Sequence, residues 1–204
     1  MAEPHFIRYS FLRCAILLII GVSVVSCTSD PSLTVSLSGP ASFAVCYGGS
    51  CDRVVTTGLS PDEWEAVVNS MTPAAPDPQT ERRQLAEAVA VFERSVGPKT
   101  GTTGDLGGTF GAFGKSGQMD CIDEATNTST YLRLVANAGL LRWHRVEPAA
   151  TRGFFLLGWP HTTAVISETV SRKRFAVDSW FHENGQPPEI VALELWRWGW
   201  SPSD

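Results

Sequence analysis

Residues 161–180 read HTTAVISETVSRKRFAVDSW, and this stretch decides how the chain folds. His161–Glu168 alternates loosely between apolar and polar positions, and residues 174–181 follow after a polar turn. That is the pattern of two half-buried antiparallel strands. Centring the hairpin near Thr169-Val170 sets His161 opposite Asp178 on one face. Side chains alternate faces with a period of two, so a one-residue slip would put them on opposite faces. Two further strands are expected just upstream, at 141–146 and 153–157.

Before residue 140 the pattern is mostly helical. Ser60-Pro61-Asp62-Glu63 carries a capping Ser, a first-turn Pro and a Glu three residues after the Ser, which starts a helix reaching about Met71. Pro73, Pro76 and Pro78 break it. A second helix covers about 79–96, with Leu85, Ala88, Val89 and Phe92 on one face. Glu81, Arg82, Arg83, Glu87 and Glu93 are placed mostly on its wet side, and Gly97-Pro98 ends it. Residues 97–117 hold eight glycines without a phosphate-binding fingerprint and read as a flexible loop on the substrate side. A third helix starts near Asp120 or Cys121, runs to about Asn137 and is capped by Gly139. The tail Glu194-Leu195-Trp196-Arg197-Trp198-Gly199-Trp200 is read as closing the core, with a partner surface as the alternative. Helices followed by a sheet imply an α+β fold.

With 204 residues, 43% of them hydrophobic, the chain is sized for one domain with a real core. A net charge of −5 gives no basic footprint for nucleic acid. The N-terminus reads separately. Arg8 and Arg13 precede an apolar run from Cys14 to Val25, and small Ser26 precedes Cys27. This is an export signal, and the run is too short for a spanning helix, which needs about 20 residues. Val24-Val25-Ser26-Cys27 resembles the lipobox of bacterial lipoproteins. The likeness implies cleavage after residue 26 and lipid on Cys27. With Thr28 next, it implies the periplasmic side of the outer membrane in a Gram-negative cell. An uncleaved membrane anchor is the alternative, and both place the domain outside the cytoplasm. The organisation is then a signal at 1–26, a Ser/Thr/Pro/Gly-rich tether at 27–42 and a domain at 43–204.

Export leaves Cys46, Cys51 and Cys121 in the domain. Phe-Ala-Val-Cys46-Tyr-Gly-Gly-Ser-Cys51-Asp-Arg-Val-Val reads as a hairpin over about 43–57 whose four-residue turn opposes the two cysteines. In an oxidising compartment they are expected to bridge. The rival, a metal half-site, has no second pair to complete it. Cys121 is left over, as a buried small hydrophobe or a reactive thiol. It stands in Gly117-Gln118-Met119-Asp120-Cys121-Ile122-Asp123-Glu124 at an expected helix start. There the dipole favours thiolate and free N–H groups can hold an oxyanion. His161 is the expected base and Asp178 its orienter; His182 is the fallback base, and His144 is read as a surface strand residue. Trp159 and Trp180 flank the base and acid. Gln118 is a candidate oxyanion donor.

The order Cys at a helix start, His at a strand start and Asp on the next strand resembles the transglutaminase-like branch of the papain-like superfamily. It is closest to the bacterial transglutaminase-like cysteine proteinases. Their Gly-Asp-Cys-Glu-Asp-type box compares with Met119-Asp120-Cys121-Ile122-Asp123-Glu124; the Asp before the Cys matches, and the acidic residues after it are shifted by one. The resemblance spans roughly residues 60–185 through short motifs. It implies a papain-like fold with Cys121 as nucleophile, His161 as base and Asp178 as orienter, and it names no substrate.

The expected activity is acyl transfer, with hydrolysis of a protein or peptide amide in the cell envelope. The rival is a non-catalytic envelope lipoprotein that uses the same fold to bind protein or peptidoglycan. A third reading is metal binding: calcium at Asp123 and Glu124, or zinc at His161, Asp178 and His182.

Overall fold

Two antiparallel sheets and four helices make up the described part of the computed structural model, residues 39–109, 115–153 and 160–202. The expected signal, the expected lipidation site Cys27, residues 27–38 of the expected tether, Trp159 and most of the expected 153–157 strand lie outside it. The last tether residues belong to the fold. Leu59 N–H donates to Pro40 O at 2.8 Å, and the chains touch so closely that a Cβ on Gly58 would lie 2.0 Å from Ala41 O.

The hairpin is β1 (Phe43–Tyr47) and β2 (Arg53–Thr57). Cys46 pairs with Val54 rather than with Cys51. The chain reverses over residues 48–52, where Gly48, Gly49, Ser50 and Cys51 all have positive φ. This left-handed coil swings Cys51 back over the strand, and the two sulfurs form a disulfide with Cα atoms 4.7 Å apart.

Helix α1 (Pro61–Ser70) starts at the expected capping box of Ser60 and Glu63. Helix α2 (Pro78–Thr100) runs a turn past its expected end, through Pro98, and stops at left-handed Gly101. Proline forfeits one ladder bond, but the helix's packed face carries it on. That face contains Leu85, Ala88, Val89, Phe92 and Val96. It also contains Glu81 and Glu93, 1% and 4% exposed, so both leave the wet side assigned from periodicity. Glu81 is buried because its carboxylate accepts the N–H groups of Arg142, Trp143 and His144, and meets His144 Nδ1 at 2.9 Å. His144 is thus buried, not a surface residue. Helix α3 (Cys121–Asn137) packs beside α2, where Phe92 stacks on Tyr131 at 4.7 Å and Phe43 meets both edge-on.

The second sheet has the order β3-β4-β5-β6: β3 (His144–Arg152), β4 (His161–Glu168), β5 (Arg174–Asp178) and β6 (Glu189–Ala192). β3 begins at His144 rather than at 141 and continues past the expected end at 146 to Arg152. A register shift between Glu147 and Ala150 absorbs Pro148, which has no N–H for the ladder. One face of the sheet places Ala164, Ile166 and Val177 in the core with α2 and α3; the other places Val165 and Ala176 against Leu193 and Trp196 of α4 (Leu193–Arg197). The chain is therefore α+β.

The β4–β5 register differs from expectation by two residues. Ala164 pairs with Val177 and Ser167 with Arg174, so Asp178 falls level with Thr163, not His161. An even slip preserves the face, and His161 and Asp178 become diagonal neighbours, a span long side chains can cross.

Candidate active site

Cys121 is the first residue of α3. Asp120 caps the helix, its side chain accepting from Ile122 N at 2.9 Å and Asp123 N at 3.0 Å, while Asp123 reaches back to Asp120 N at 3.2 Å. This capping box does not use the Cys121 N–H, which points to its own thiol. The half-buried thiol lies against the backbone on either side of His161. Its Sγ is 4.0 Å from Pro160 O, and the Thr162 N–H points to it. Burial pushes this thiol up to about 11; the Thr162 N–H pulls the other way, and the carboxylates of Asp120 and Asp178 push with burial. Desolvation and two nearby negative charges thus outweigh the helix dipole. The expectation of a resting thiolate is corrected to a neutral thiol.

His161, 4% exposed, opens β4, and Asp178 closes β5. Their Nε2 and Oδ2 are 2.7 Å apart. Asp178 also accepts from Trp196 Nε1 at 2.6 Å. A carboxylate with two donors fixes Nε2 as the protonated ring nitrogen, a tautomer assigned from this network. Nδ1 is then the lone-pair nitrogen, and it is buried with no hydrogen-bond partner among the described residues. A buried acceptor left open costs stability, and it is the atom a base must present. Trp180, Phe181 and Trp196 surround the imidazole, with ring centroids at 4.7, 5.5 and 5.5 Å. Arg152 covers Trp196 at 4.6 Å and donates to the Trp196 and Trp200 carbonyls. In this resting arrangement no hydrogen bond joins Cys121 Sγ to His161.

Beneath the site lies a group of buried acids. Glu124, one turn past Cys121, accepts from the hydroxyl of Ser179, which follows Asp178. It also bonds Asp105, which accepts from Met119 N at 2.6 Å. Glu93 accepts from Gly185 N at 2.7 Å, and its Oε1 has no partner. Burial raises all three: Glu93 to about 8, Asp105 to about 6, and Glu124 well above the usual carboxyl range, where Glu93 and Asp105 add their repulsion. Glu124 is accordingly a neutral acid that can donate to Asp105.

The other expected residues have other partners. Gln118 donates from Nε2 to Gly104 O at 2.8 Å and accepts from Leu106 N at 3.4 Å, which engages its amide with the glycine-rich loop. Asp123 binds backbone N–H groups of the hairpin turn. His182 pairs with Glu189 at 3.0 Å, so the zinc set of His161, Asp178 and His182 is not assembled. The single constellation of metal-type donors among the described residues is Cys46, Cys51 and Asp123, within 4.8 Å of one another. Two of those donors are joined as the disulfide, which removes their thiolates. Asp123 and Glu124 face different groups and do not form a calcium cage together.

Sequence reasoning missed Trp196 as a partner of Asp178, and Glu93 and Asp105 as companions of Glu124. No spacing rule connects positions 18 or more residues apart on different elements. The Trp-rich tail was a signal for core closure but not for its target. No family model, curated protein or solved structure matches the chain.

Proposed function

We propose that the protein is a cysteine-nucleophile hydrolase of transglutaminase-like, papain-like type, exported as a lipoprotein anchored through Cys27. It would act on protein or peptide amides in the cell envelope. The observation that carries the reading is the His161–Asp178 pair, with Nε2 bound to the carboxylate and Nδ1 left open, together with a half-buried thiol at a helix N-terminus that lies against Pro160 O and the Thr162 N–H on either side of His161. A structural histidine in a core has both nitrogens satisfied, as His144 has with Glu81 and Arg82; His161 has one.

The resting thiol is neutral. Substrate closing on the site brings Sγ and Nδ1 to hydrogen-bond distance, a tightening that free enzymes commonly await. Nδ1 then takes the thiol proton as Sγ bonds to the carbonyl carbon, and the carbonyl electron pair moves to oxygen beside the Cys121 N–H. Asp178 stabilises the imidazolium, and Trp196 holds Asp178. Collapse of the intermediate expels the amine, which takes the proton from His161. Water, deprotonated by the same nitrogen, then releases the acid and restores the thiol. The lipoprotein signal and the absence of a basic footprint support an envelope protein as the partner. Among the described residues no helix is long and apolar enough to cross a membrane.

The non-catalytic envelope module is favoured by one observation, the thiol raised to about 11. Alkylation separates the two. Iodoacetamide labelling of Cys121, read on its own peptide by mass spectrometry across pH 6–10, should be at least about tenfold faster in the wild type than in His161→Ala near pH 7.5. Equal rates in the two proteins would overturn the enzyme reading and leave the binding module.

A further inference from the structure

The hairpin and the start of α3 are far apart in sequence and joined by a set of hydrogen bonds. Gly49 N and Cys51 N donate to the two oxygens of Asp123 at 2.7 and 2.6 Å, and Ser50 N donates to Asp120 Oδ2 at 2.8 Å. Cys46 N and Cys46 O exchange bonds with the Asn127 amide, each at 2.8 Å. Gly48 N adds a bond to Gln118 O at 3.1 Å. Asp123 and Asn127 are 0% and 3% exposed. The three successive N–H groups converge because residues 48–51 coil at positive φ, a backbone nest that suits an anion. Ser50 and Cys51 hold this conformation, with φ of 51° and 56°, although side-chain-bearing residues disfavour it. The disulfide ties Cys51 back to Cys46 on β1 and so closes the nest. The two carboxylates it grips flank Cys121 at the preceding residue and two residues on.

We propose that this disulfide-closed turn positions the nucleophile, with Asp123 as the positioning residue, so that thiol chemistry at Cys121 requires the oxidised Cys46–Cys51 pair. The inference rests on the catalytic reading above. An external dithiol would reduce the bridge: its two sulfurs join to each other, and two electrons and two protons pass to Cys46 and Cys51. Nothing then holds Ser50 and Cys51 at positive φ, the nest relaxes, and the Asp120–Asp123 end of α3 loses its outside partners. Cys121 would drift from His161, and misplacements near 1 Å cost about 100-fold in such chemistry.

The test is the dependence of Cys121 alkylation on His161 in the full-length chain. The ratio of wild-type to His161→Ala rates is measured again in an Asp123→Asn background, in a Cys46→Ala/Cys51→Ala background, and after mild dithiol reduction. Circular dichroism confirms a folded protein at the assay temperature, and labelling is read only on the Cys121 peptide. The ratio should fall at least tenfold, toward one, in all three. A lower melting temperature with an unchanged ratio would show a merely structural turn and overturn the proposal. A ratio of one in the unmodified protein would overturn the catalytic reading itself and the proposal with it. If the double cysteine variant does not fold, Asp123→Asn and reduction of the folded wild type still decide.

Discussion

Replacing Glu93 by Gln should make the protein more stable at alkaline pH while leaving it nearly unchanged at pH 5. Glu93 is 4% exposed, accepts one bond from Gly185 N and has an open Oε1. Burial, and the charge of Asp105, raise it from an ordinary 4.5 to about 8. A carboxyl raised in the folded state folds with its proton on. Its contribution is fully present below the unfolded value, and is lost as pH climbs through the folded one. At 1.36 kcal/mol per pH unit, the wild type should lose about 3 kcal/mol between pH 5 and 7, and about 4 kcal/mol by pH 9, from this group. Gln keeps the acceptor for Gly185 N and carries no charge, so it is spared that loss. Relief of repulsion on Glu124 and Asp105 acts in the same direction. For a domain of this size the melting temperatures should diverge by roughly 10 °C between pH 5 and 9. Thermal melts of both proteins in pH steps provide the assay. Parallel curves, or a wild type that gains stability from pH 5 to 8, would refute the buried-acid argument.

Trp196→Phe keeps most of the packing but removes the 2.6 Å bond to Asp178. It should cost about 1–3 kcal/mol in denaturant melts and lower the His161-dependent alkylation rate severalfold; an unchanged rate would remove Trp196 from the site. Glu81→Ala should cost about 3–5 kcal/mol, because it strands three backbone N–H groups and a buried His144. Urea unfolding checks this, and a loss below 1 kcal/mol would contradict the network. Glu81 also gives a pH limb of opposite sign. Burial works to raise it, but His144 and the Arg142 and Trp143 N–H groups outweigh burial and lower it. Its contribution is present above about pH 4.5 and lost as pH falls below, so Glu81→Gln should flatten the acid limb of the stability profile.

The local rules sufficed for elements with strong internal signals. The Ser60–Glu63 capping box, the Asp120 helix start and the alternation of residues 161–178 lie within a few residues of the structure they specify, so α+β was legible. The pairing of His161 with Asp178 was legible too, even though the register slipped, because a two-residue slip returns each side chain to the same face. The sequence could also place Cys121 at a helix N-terminus. It could not decide the state of the thiol, since a dipole is a local property and desolvation is not. Burial comes from Pro160, Thr162 and neighbouring elements, and it reverses the direction the dipole gives. The same reason explains the buried acids. Periodicity put Glu81 and Glu93 on the wet face by residue type, and only the fold supplied backbone N–H groups from residues 142–144 and 185 to receive them. It explains the hairpin as well: the spacing of Cys46 and Cys51 suggested a bridge, while the four positive-φ residues that turn the bridge into a carboxylate nest have meaning only when Asp120 and Asp123 arrive from 70 residues away. What the sequence determined by itself is each interaction that closes within a turn or a hairpin. What only the tertiary structure decided is the solvation and partnering of charged groups, because these depend on atoms brought in from distant parts of the chain.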